Sequence, residues 1–188
     1  ERENSAGLPP KKLFTHGSPP LDTLMAIAKK SPPRTKHQKK SLNILLAPSW
    51  GPSGIIETCA SEIVEVLLEN GHFVKIRPHP RTRQLSSKVL SKLFFKFSAN
   101  PNFEMNEDIS QHEDLIKADV LISDWSGVAM EFAFGLERPV LFIDVPRKIN
   151  NPEYENSKIE PLEVSYRQTV GMVLAPDEIH LLPTVLSN

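Results

Sequence analysis

A chain of 188 residues with a formal net charge of −1 at pH 7 is long enough for one domain with a sizeable core. With this charge balance no overall field favours nucleic acid or an anionic membrane, and we expect no nucleic-acid partner. The single cysteine, Cys59, excludes a disulfide framework and fits a reducing compartment. No apolar run approaches the roughly 20 residues of a membrane span, so we expect no transmembrane helix and no signal peptide.

Residues 1–40 are predicted to be a linker and a short strand–helix lead-in. Six of the 17 prolines fall within the first 33 residues, and proline fixes φ and removes a backbone donor, so this segment should be loosely organised with stiff corners. Residues 11–14 are predicted to form a short strand and residues 21–30 a short helix. The basic segment 31–41 is expected to be a solvated loop rather than a binding element.

From residue 41 onward, short apolar runs alternate with amphipathic segments. Short apolar runs fit buried parallel strands, and apolar residues at a spacing of three to four fit helices. Strands are predicted at residues 42–47, 72–77, 103–105, 120–122, 140–143 and 172–174, and helices at residues 55–70, 85–97, 109–117, 128–134 and from 176. Gly71 and Gly135 are predicted to end two of these helices. The alternation predicts an α/β domain over residues 41–188, a Rossmann-like parallel sheet with helices on both faces.

The stretch of residues 118–144 is the clearest strand–turn–helix–strand unit in the chain. Its turn, S-D-W-S-G at residues 123–127, is placed at the carboxyl end of one strand and the amino end of the next helix. Open α/β sheets bind ligands at such a place, because backbone N–H groups and the helix dipole point into the crevice. Glu131 lies one helical turn further on, where its side chain can reach back toward a ligand.

Two other strand-end loops, residues 48–54 and 77–81, are expected at the same edge of the sheet as this turn. Together the three loops offer hydroxyls, amides, guanidinium groups and a histidine, which is the chemistry of an anion site. Trp50 is a candidate for stacking on a base, with anchoring of its loop as the open alternative. The candidate ligand-binding residues are Ser49, Trp50, Gly51, Ser53, Gly54, Arg77, Arg81, Asp124, Ser126, Gly127 and Glu131.

His79 is the candidate catalytic residue. It lies between Pro78 and Pro80, which limit the backbone entropy lost when the ring is positioned. A histidine held in this way suits a phosphate contact or a proton transfer near neutral pH. A structural loop histidine is the alternative. Asp124 is a second candidate base, although capping of the following helix is the favoured role.

Several common sites are excluded by their motifs. Ser126 is not a hydrolase nucleophile, because the G-x-S-x-G elbow needs glycine where Asp124 and Val128 stand. The sequence contains neither G-x-G-x-x-G nor the P-loop motif, so the usual dinucleotide and nucleoside-triphosphate sites are not expected. The six histidines show no metal-ligand spacing, and we expect neither a metal nor a cofactor.

An ordered set of motifs resembles the CDP-glycerol glycerophosphotransferase family of teichoic-acid-type polymerases. The motifs are L-L-A-P-S-W-G at residues 45–51, R-P-H-P at 77–80 and I-S-D-W-S-G at 122–127. The segment G-S-P-P-L-D at residues 17–22 is also similar to a G-x-P-x-L-D segment that leads into the second domain of that family. The resemblance covers about residues 12–145, and its specificity comes from the order of the motifs rather than from any one of them.

The resemblance implies the carboxyl-terminal, donor-binding half of a GT-B fold, in which two Rossmann-like halves enclose the active site. It implies that His79 faces the donor pyrophosphate, that Ser126 and neighbouring amides hold phosphate, and that Glu131 meets the ribose hydroxyls. Trp125 and Gly127 depart from the family, which usually has tyrosine and a second serine or threonine at those positions. The implied partners are a nucleotide-activated donor such as CDP-glycerol and a missing amino-terminal acceptor domain.

The expected function is therefore donor binding in a transferase that moves glycerol phosphate from CDP-glycerol to an acceptor hydroxyl in cell-surface polymer synthesis. A sugar-nucleotide glycosyltransferase or 2-epimerase of the same fold is one alternative, and a non-catalytic nucleotide-binding α/β domain is another. We expect a cytoplasmic location, with peripheral association of the full-length enzyme with the inner face of the cell membrane. The chain alone is expected to be inactive.

Overall fold

The structure, a computed structural model, describes residues 7–9, 11, 12, 14–32, 40–106, 112–147, 149, 154 and 160–187. The beginning of the linker, the middle of the basic loop and the first residues of the helix predicted at 109–117 lie outside this range. The elements are, in chain order, α1 Pro19–Lys30, β1 Asn43–Leu46, α2 Ile55–Thr58, α3 Ala60–Glu69, β2 Phe73–Ile76, α4 Pro80–Leu85, α5 Ser87–Phe97, β3 Phe103–Met105, α6 Glu113–Lys117, β4 Val120–Ser123, α7 Val128–Leu136, β5 Val140–Ile143, α8 Leu162–Ser165, α9 Arg167–Val170, β6 Gly171–Leu174, a 3₁₀ helix Pro176–Leu181 and α10 Leu182–Ser187.

The six strands form one parallel sheet in the order β3-β2-β1-β4-β5-β6. The chain builds outward from β1 to β3, crosses back, and continues from β4 to β6 on the other side. Leu45 of β1 pairs with Lys75 of β2 on one side and with Leu121 of β4 on the other. This is the Rossmann order, and its switch point lies between β1 and β4, where such sheets open a crevice at the carboxyl edge. The predicted α/β fold class is confirmed.

Helices cover both faces of the sheet. Alternate strand residues point to opposite sides, so each face has its own buried cluster. On one face Ile44 and Leu46 join a buried cluster with residues of α3, α5 and α10. On the other face Leu45 and Ala47 join a second cluster with residues of α1, α6 and α7. Leu24 of α1 is 1% exposed in this second cluster, so the lead-in helix packs on the same core as the sheet. The domain boundary at residue 40 stays a prediction.

One predicted helix is divided, and another begins two residues later than predicted. The helix predicted at 55–70 is interrupted at Cys59, whose backbone (φ −137°, ψ 1°) is not helical, so α2 and α3 are separate. The helix predicted at 85–97 is preceded by α4, which begins at Pro80 because the fixed φ of proline suits the first helical position. A new helix, α5, then begins at Ser87.

The prediction that Gly135 ends its helix is wrong. α7 continues to Leu136, and the chain leaves it through Glu137, which adopts the left-handed region with φ 52°. Gly135 is instead a packing position, because a Cβ there would lie 2.8 Å from Leu21 Cδ1 and 3.2 Å from Leu24 Cδ2 of α1. The glycine therefore lets α1 approach α7 closely.

The strand predicted at residues 11–14 is also wrong where it can be judged. Residues 11, 12 and 14 belong to no strand and are exposed. Phe14 leaves 73% of its surface in solvent, so it does not pack on the sheet.

Candidate functional site

The loops that follow β1 and β4 are joined at the switch point by three hydrogen bonds. The N–H of Ala47 donates to the carbonyl of Ile122 (3.0 Å), and the Ser123 hydroxyl donates to the carbonyl of Ala47 (2.7 Å). The N–H of Ser49 donates to Oδ1 of Asp124 (2.7 Å). Two loops that lie 75 residues apart in sequence are therefore held together at the switch point.

Asp124 lies beneath the site rather than on its surface. Its side chain is 1% exposed, and Oδ1 accepts the N–H groups of both Ser49 and Trp125 at 2.7 Å. Burial raises the pKa of the carboxyl, while hydrogen bonds from Ser49 and Trp125 offset part of that shift. The cap favoured from the sequence is not formed, because α7 has no side-chain hydrogen bond at its N-cap residue, Gly127. Asp124 instead positions the loop after β1.

His79 caps α4 with its ring. Nδ1 accepts the N–H of Arg81 at 3.1 Å, so the proton of the neutral imidazole is on Nε2. The ring is half-buried, and its N–H group is at Nε2. An N–H donor suits contact with a phosphate oxygen. It does not suit a general base, because Nε2 would first have to lose its proton.

Trp50, His79 and Arg81 form one cluster between the loop after β1 and the loop after β2. The Arg81 guanidinium lies 3.9 Å from the centroid of the Trp50 ring, and the His79 ring lies 6.2 Å away at an interplanar angle of 39°. The predicted meeting of these two loops is thus borne out by ring contacts. Arg81 covers one face of Trp50 in a cation–π contact.

Arg77 leaves β2 beside this cluster, and its N–H donates to the carbonyl of Leu46 at 2.9 Å. The side chain is half-buried at the same edge of the sheet as His79. The loop after β2 thus brings Arg77 and Arg81 to the carboxyl edge of the sheet, on the β1–β2 side of the switch point.

Two of the helices that begin at this edge, α2 and α7, start after a glycine. Gly54 precedes α2 and donates its N–H to the carbonyl of Gly51 at 3.0 Å, while Gly127 precedes α7. Gly51 has φ 143°, a conformation that side chains disfavour. Ser126, Gly127 and Glu131 are half-buried around the start of α7, and Ser53 is exposed at the tip of its loop.

Two carboxylates that sequence reasoning did not place lie beside these glycines. A Cβ added to Gly54 would lie 3.3 Å from Glu57 Oε2, and one added to Gly127 would lie 3.3 Å from Glu163 Oε1. Glu57 Oε1 accepts the Ser86 hydroxyl at 2.5 Å, while Oε2 is buried and has no hydrogen-bond partner among the described residues. The first-turn position of Glu57 was a usable signal. Glu163 follows a long polar loop, and nothing local indicates its place.

Arg167 is the other residue that the sequence did not reveal. It is 5% exposed, its guanidinium stacks 3.7 Å from the Trp125 ring centroid, and Nη1 lies 2.9 Å from Asp144 Oδ1. The Trp125 indole N–H donates to the carbonyl of Val145 at 2.9 Å. Trp125 is therefore a fixed part of the turn, held from the far side by α9 and the end of β5.

Neither a metal-binding cluster nor a membrane-spanning helix is found in the part of the chain that the structure describes. No group of three or more histidine, cysteine, aspartate or glutamate side chains there could hold a metal ion. Among the same residues, no helix combines the length and the hydropathy that crossing a bilayer requires.

Comparison with known proteins gives one family and several solved structures. The family model described as CDP-glycerol:poly(glycerophosphate) glycerophosphotransferase matches residues 6–148. A structure of the wall teichoic acid polymerase TagF, a variant soaked with CDPG, aligns with TM-score 0.46 and 18% identity and covers 90% of this chain and 35% of its own. A second TagF variant aligns with TM-score 0.47 and 16% identity, over 89% of this chain and 38% of its own. The chain thus spans a little over a third of those polymerase chains. No curated protein matches the sequence significantly.

Proposed function

The chain belongs to the CDP-glycerol:poly(glycerophosphate) glycerophosphotransferase family, and we propose that it is the donor-binding half of a transferase that moves glycerol phosphate from CDP-glycerol to an acceptor hydroxyl. The product would be a cell-surface polymer of the teichoic-acid type. The Rossmann-like sheet would be one half of a GT-B fold, and an amino-terminal acceptor domain would form the other wall of the cleft.

One observation carries the proposal, which is the donor tautomer of His79 at the edge of the switch point. Its Nδ1 accepts the Arg81 N–H, so the hydrogen of the neutral ring is on Nε2, and an N–H group of this kind pairs well with an anion. The same loop edge carries Arg77 and Arg81 and lies beside the start of α7. Donors and positive charges that converge in this way suit the diphosphate of a nucleotide-activated substrate.

In the proposed reaction, the acceptor hydroxyl oxygen forms a bond to the β-phosphorus while the bond from that phosphorus to the oxygen of CMP breaks. Negative charge grows on the departing phosphate. The Nε2–H of His79 and the guanidinium groups of Arg77 and Arg81 would stabilise it, because they are oriented before the reaction begins. Ser126 and the amides next to Gly127 would hold the second phosphate, and Glu131 would meet the ribose hydroxyls.

The base that takes the proton of the acceptor hydroxyl is proposed to lie in the acceptor half. His79 already bears a proton on its outward nitrogen, and the carboxyl of Asp124 is buried beneath the loops. Cys59 is an unsuitable nucleophile, since burial raises the pKa of its thiol. The described residues thus bind and polarise the donor, while deprotonation of the acceptor falls to the other half.

A panel of nucleotides tests the proposal. We expect calorimetry to show binding of CDP-glycerol and CDP above CMP and above UDP, with amide NMR shifts at residues 51–54, 79 and 126–127. Tighter binding of UDP would favour the alternative of a sugar-nucleotide glycosyltransferase or 2-epimerase, whose donor diphosphate would occupy the same place. Shifts limited to the basic segment 31–41 would indicate unspecific electrostatics and contradict the proposed site.

We propose a cytoplasmic location with peripheral association of the full-length enzyme with the inner face of the cell membrane. A nucleotide-activated donor and the unpaired, buried Cys59 both fit the cytoplasm. A polymer destined for the cell surface has to leave the cytoplasm, so a transferase that extends it benefits from residence at the membrane.

A further inference from the structure

The outer surface of α4 and α5 has an unusual composition. Residues 80–97 contain five cationic side chains and no acidic one, although the whole chain carries a net charge of −1. The five are Arg81, Arg83, Lys88, Lys92 and Lys96, and all of them are exposed. We call this region the α4–α5 surface.

The same surface exposes aromatic side chains where a helix of a monomeric protein would be polar. The buried face of α5 consists of Leu90, Leu93 and Phe97, which are 4%, 5% and 8% exposed. At about 100° per residue, Phe95 falls opposite that face, and 77% of its surface is exposed. Phe94 is 44% exposed, and the two rings meet edge to face with centroids 5.9 Å apart.

Cations flank these rings at helical spacing. Lys88 and Lys92 precede Phe95 by seven and three residues, so their stems lie along the same side of α5. Lys96 is different, because its ammonium group lies 3.0 Å from Glu65 on α3 and is partly neutralised. Exposed apolar patches mark interaction sites, and aromatic rings among lysines are the pattern of a surface that meets anionic lipid headgroups.

The position of Phe95 leaves the nucleotide crevice open. α5 runs back toward the start of β3, so Phe95 lies about 12 Å along the helix from Ser87, at 1.5 Å per residue. His79 and the switch point are at the opposite, carboxyl edge of the sheet. A bilayer could therefore contact α5 while the crevice receives donor and acceptor.

We propose that the α4–α5 surface is a docking site for an anionic bilayer. Phe94 and Phe95 enter the headgroup region, and Lys88 and Lys92 pair with anionic headgroups. The proposal rests on the peripheral location suggested above and assigns it to a surface of this chain. It is independent of nucleotide binding, so the two proposals fail separately.

Co-sedimentation with vesicles tests the surface. The chain should bind phosphatidylglycerol vesicles at 0.1 M salt and should bind pure phosphatidylcholine vesicles at least tenfold more weakly. Raising the salt to 1 M should weaken binding further, because the screening length falls from about 10 Å to about 3 Å. Replacing both Lys88 and Lys92 with glutamine should reduce affinity about 30-fold, and Phe95→Ser should reduce it about 10-fold.

Matched controls lie elsewhere on the chain. Phe14→Ser removes a ring that is 73% exposed, and a Lys29→Gln and Lys30→Gln double variant removes two exposed lysines from α1. Both should bind vesicles as the parent does, and all variants should keep the nucleotide affinity of the parent. Equal losses in test and control variants, or equal binding to both lipids, would overturn the proposal. So would self-association of the parent that Phe95→Ser abolishes without any vesicle binding, because the surface would then belong to a second copy.

Discussion

Replacing Asp124 with alanine should destabilise the fold strongly, although the residue is not expected to touch a ligand. The change removes the acceptor of two N–H groups, those of Ser49 and Trp125, each 2.7 Å from Oδ1. A hydrogen bond to a charged acceptor contributes about 1.5–3 kcal/mol. Relief of the buried charge, whose pKa is raised by desolvation, offsets part of this loss. We therefore expect the free energy of unfolding to fall by about 2–4 kcal/mol, mainly because the Ser49 N–H is left buried without a partner.

Thermal unfolding followed by circular dichroism measures this effect. For a domain of this size, 1 kcal/mol corresponds to a shift in Tm of about 2–4 °C, so Asp124→Ala should melt about 4–16 °C below the parent. Asp124→Asn is the matched control, because its amide oxygen can still accept both N–H groups, and it should stay within about 4 °C of the parent. A Tm for Asp124→Ala within 1 °C of the parent would refute the reasoning that this carboxylate joins the two loops.

Four further predictions concern the site and the chain as a whole. His79→Ala should weaken nucleotide affinity about 10- to 150-fold, because it removes a charge-assisted hydrogen bond of roughly 1.5–3 kcal/mol. His180→Ala is the control, since it changes an exposed histidine elsewhere. An unchanged nucleotide affinity in folded His79→Ala would contradict the role assigned to His79. Glu163→Gln should tighten nucleotide binding about fivefold in calorimetry, because it removes a negative charge beside Gly127. The repulsion between that charge and a phosphate charge at 4 Å in water is about 1 kcal/mol. Weaker binding would instead indicate that Glu163 helps to hold the ligand. Because the pKa of Asp124 is raised, the folded state holds the proton more tightly than the unfolded chain does. The free energy of unfolding should therefore fall as the pH rises from about 3.9 to the raised pKa, and this slope should be missing in Asp124→Asn. Identical pH profiles of the parent and Asp124→Asn would contradict this prediction. Residues 1–188 alone should show no transfer to an acceptor in a CMP-release assay, since acceptor positioning and the base are proposed to lie in another domain, and turnover free of contaminating enzyme would disprove the half-site proposal.

The central strands β1, β4 and β5 were predictable because each is a short apolar run that is buried on both faces. Residues 103–105 and 140–143 were predicted with the bounds that the structure gives, and the other four strands differ by one or two residues. Local patterns decide such segments, since burial on both faces leaves little choice of residue type. The convergence of the three loops followed from the same regularity, because parallel strands end at a common edge.

The details that failed depend on contacts between residues far apart in the sequence. Gly135 resembles a helix end, but its lack of a side chain serves the packing of α1, which lies more than 100 residues earlier in the chain. Asp124 resembles a cap, yet its acceptor oxygen is used by Ser49, 75 residues away. Glu163 and Arg167 reach the site through α8 and α9, which follow a polar loop without any periodicity. Composition and spacing do not encode such pairings.

The order of the strands also determines when the fold can close during synthesis. β1 is central, and one of its edges pairs with β2 after a short crossover, while the other waits for β4, about 76 residues later. A nascent chain that ends before Val120 therefore presents the β1 edge of Ile44, Leu45 and Leu46 without its partner, and exposed apolar edges recruit other chains. Truncations placed between β3 and β4 should aggregate, whereas release of the chain through β4 would cover that edge.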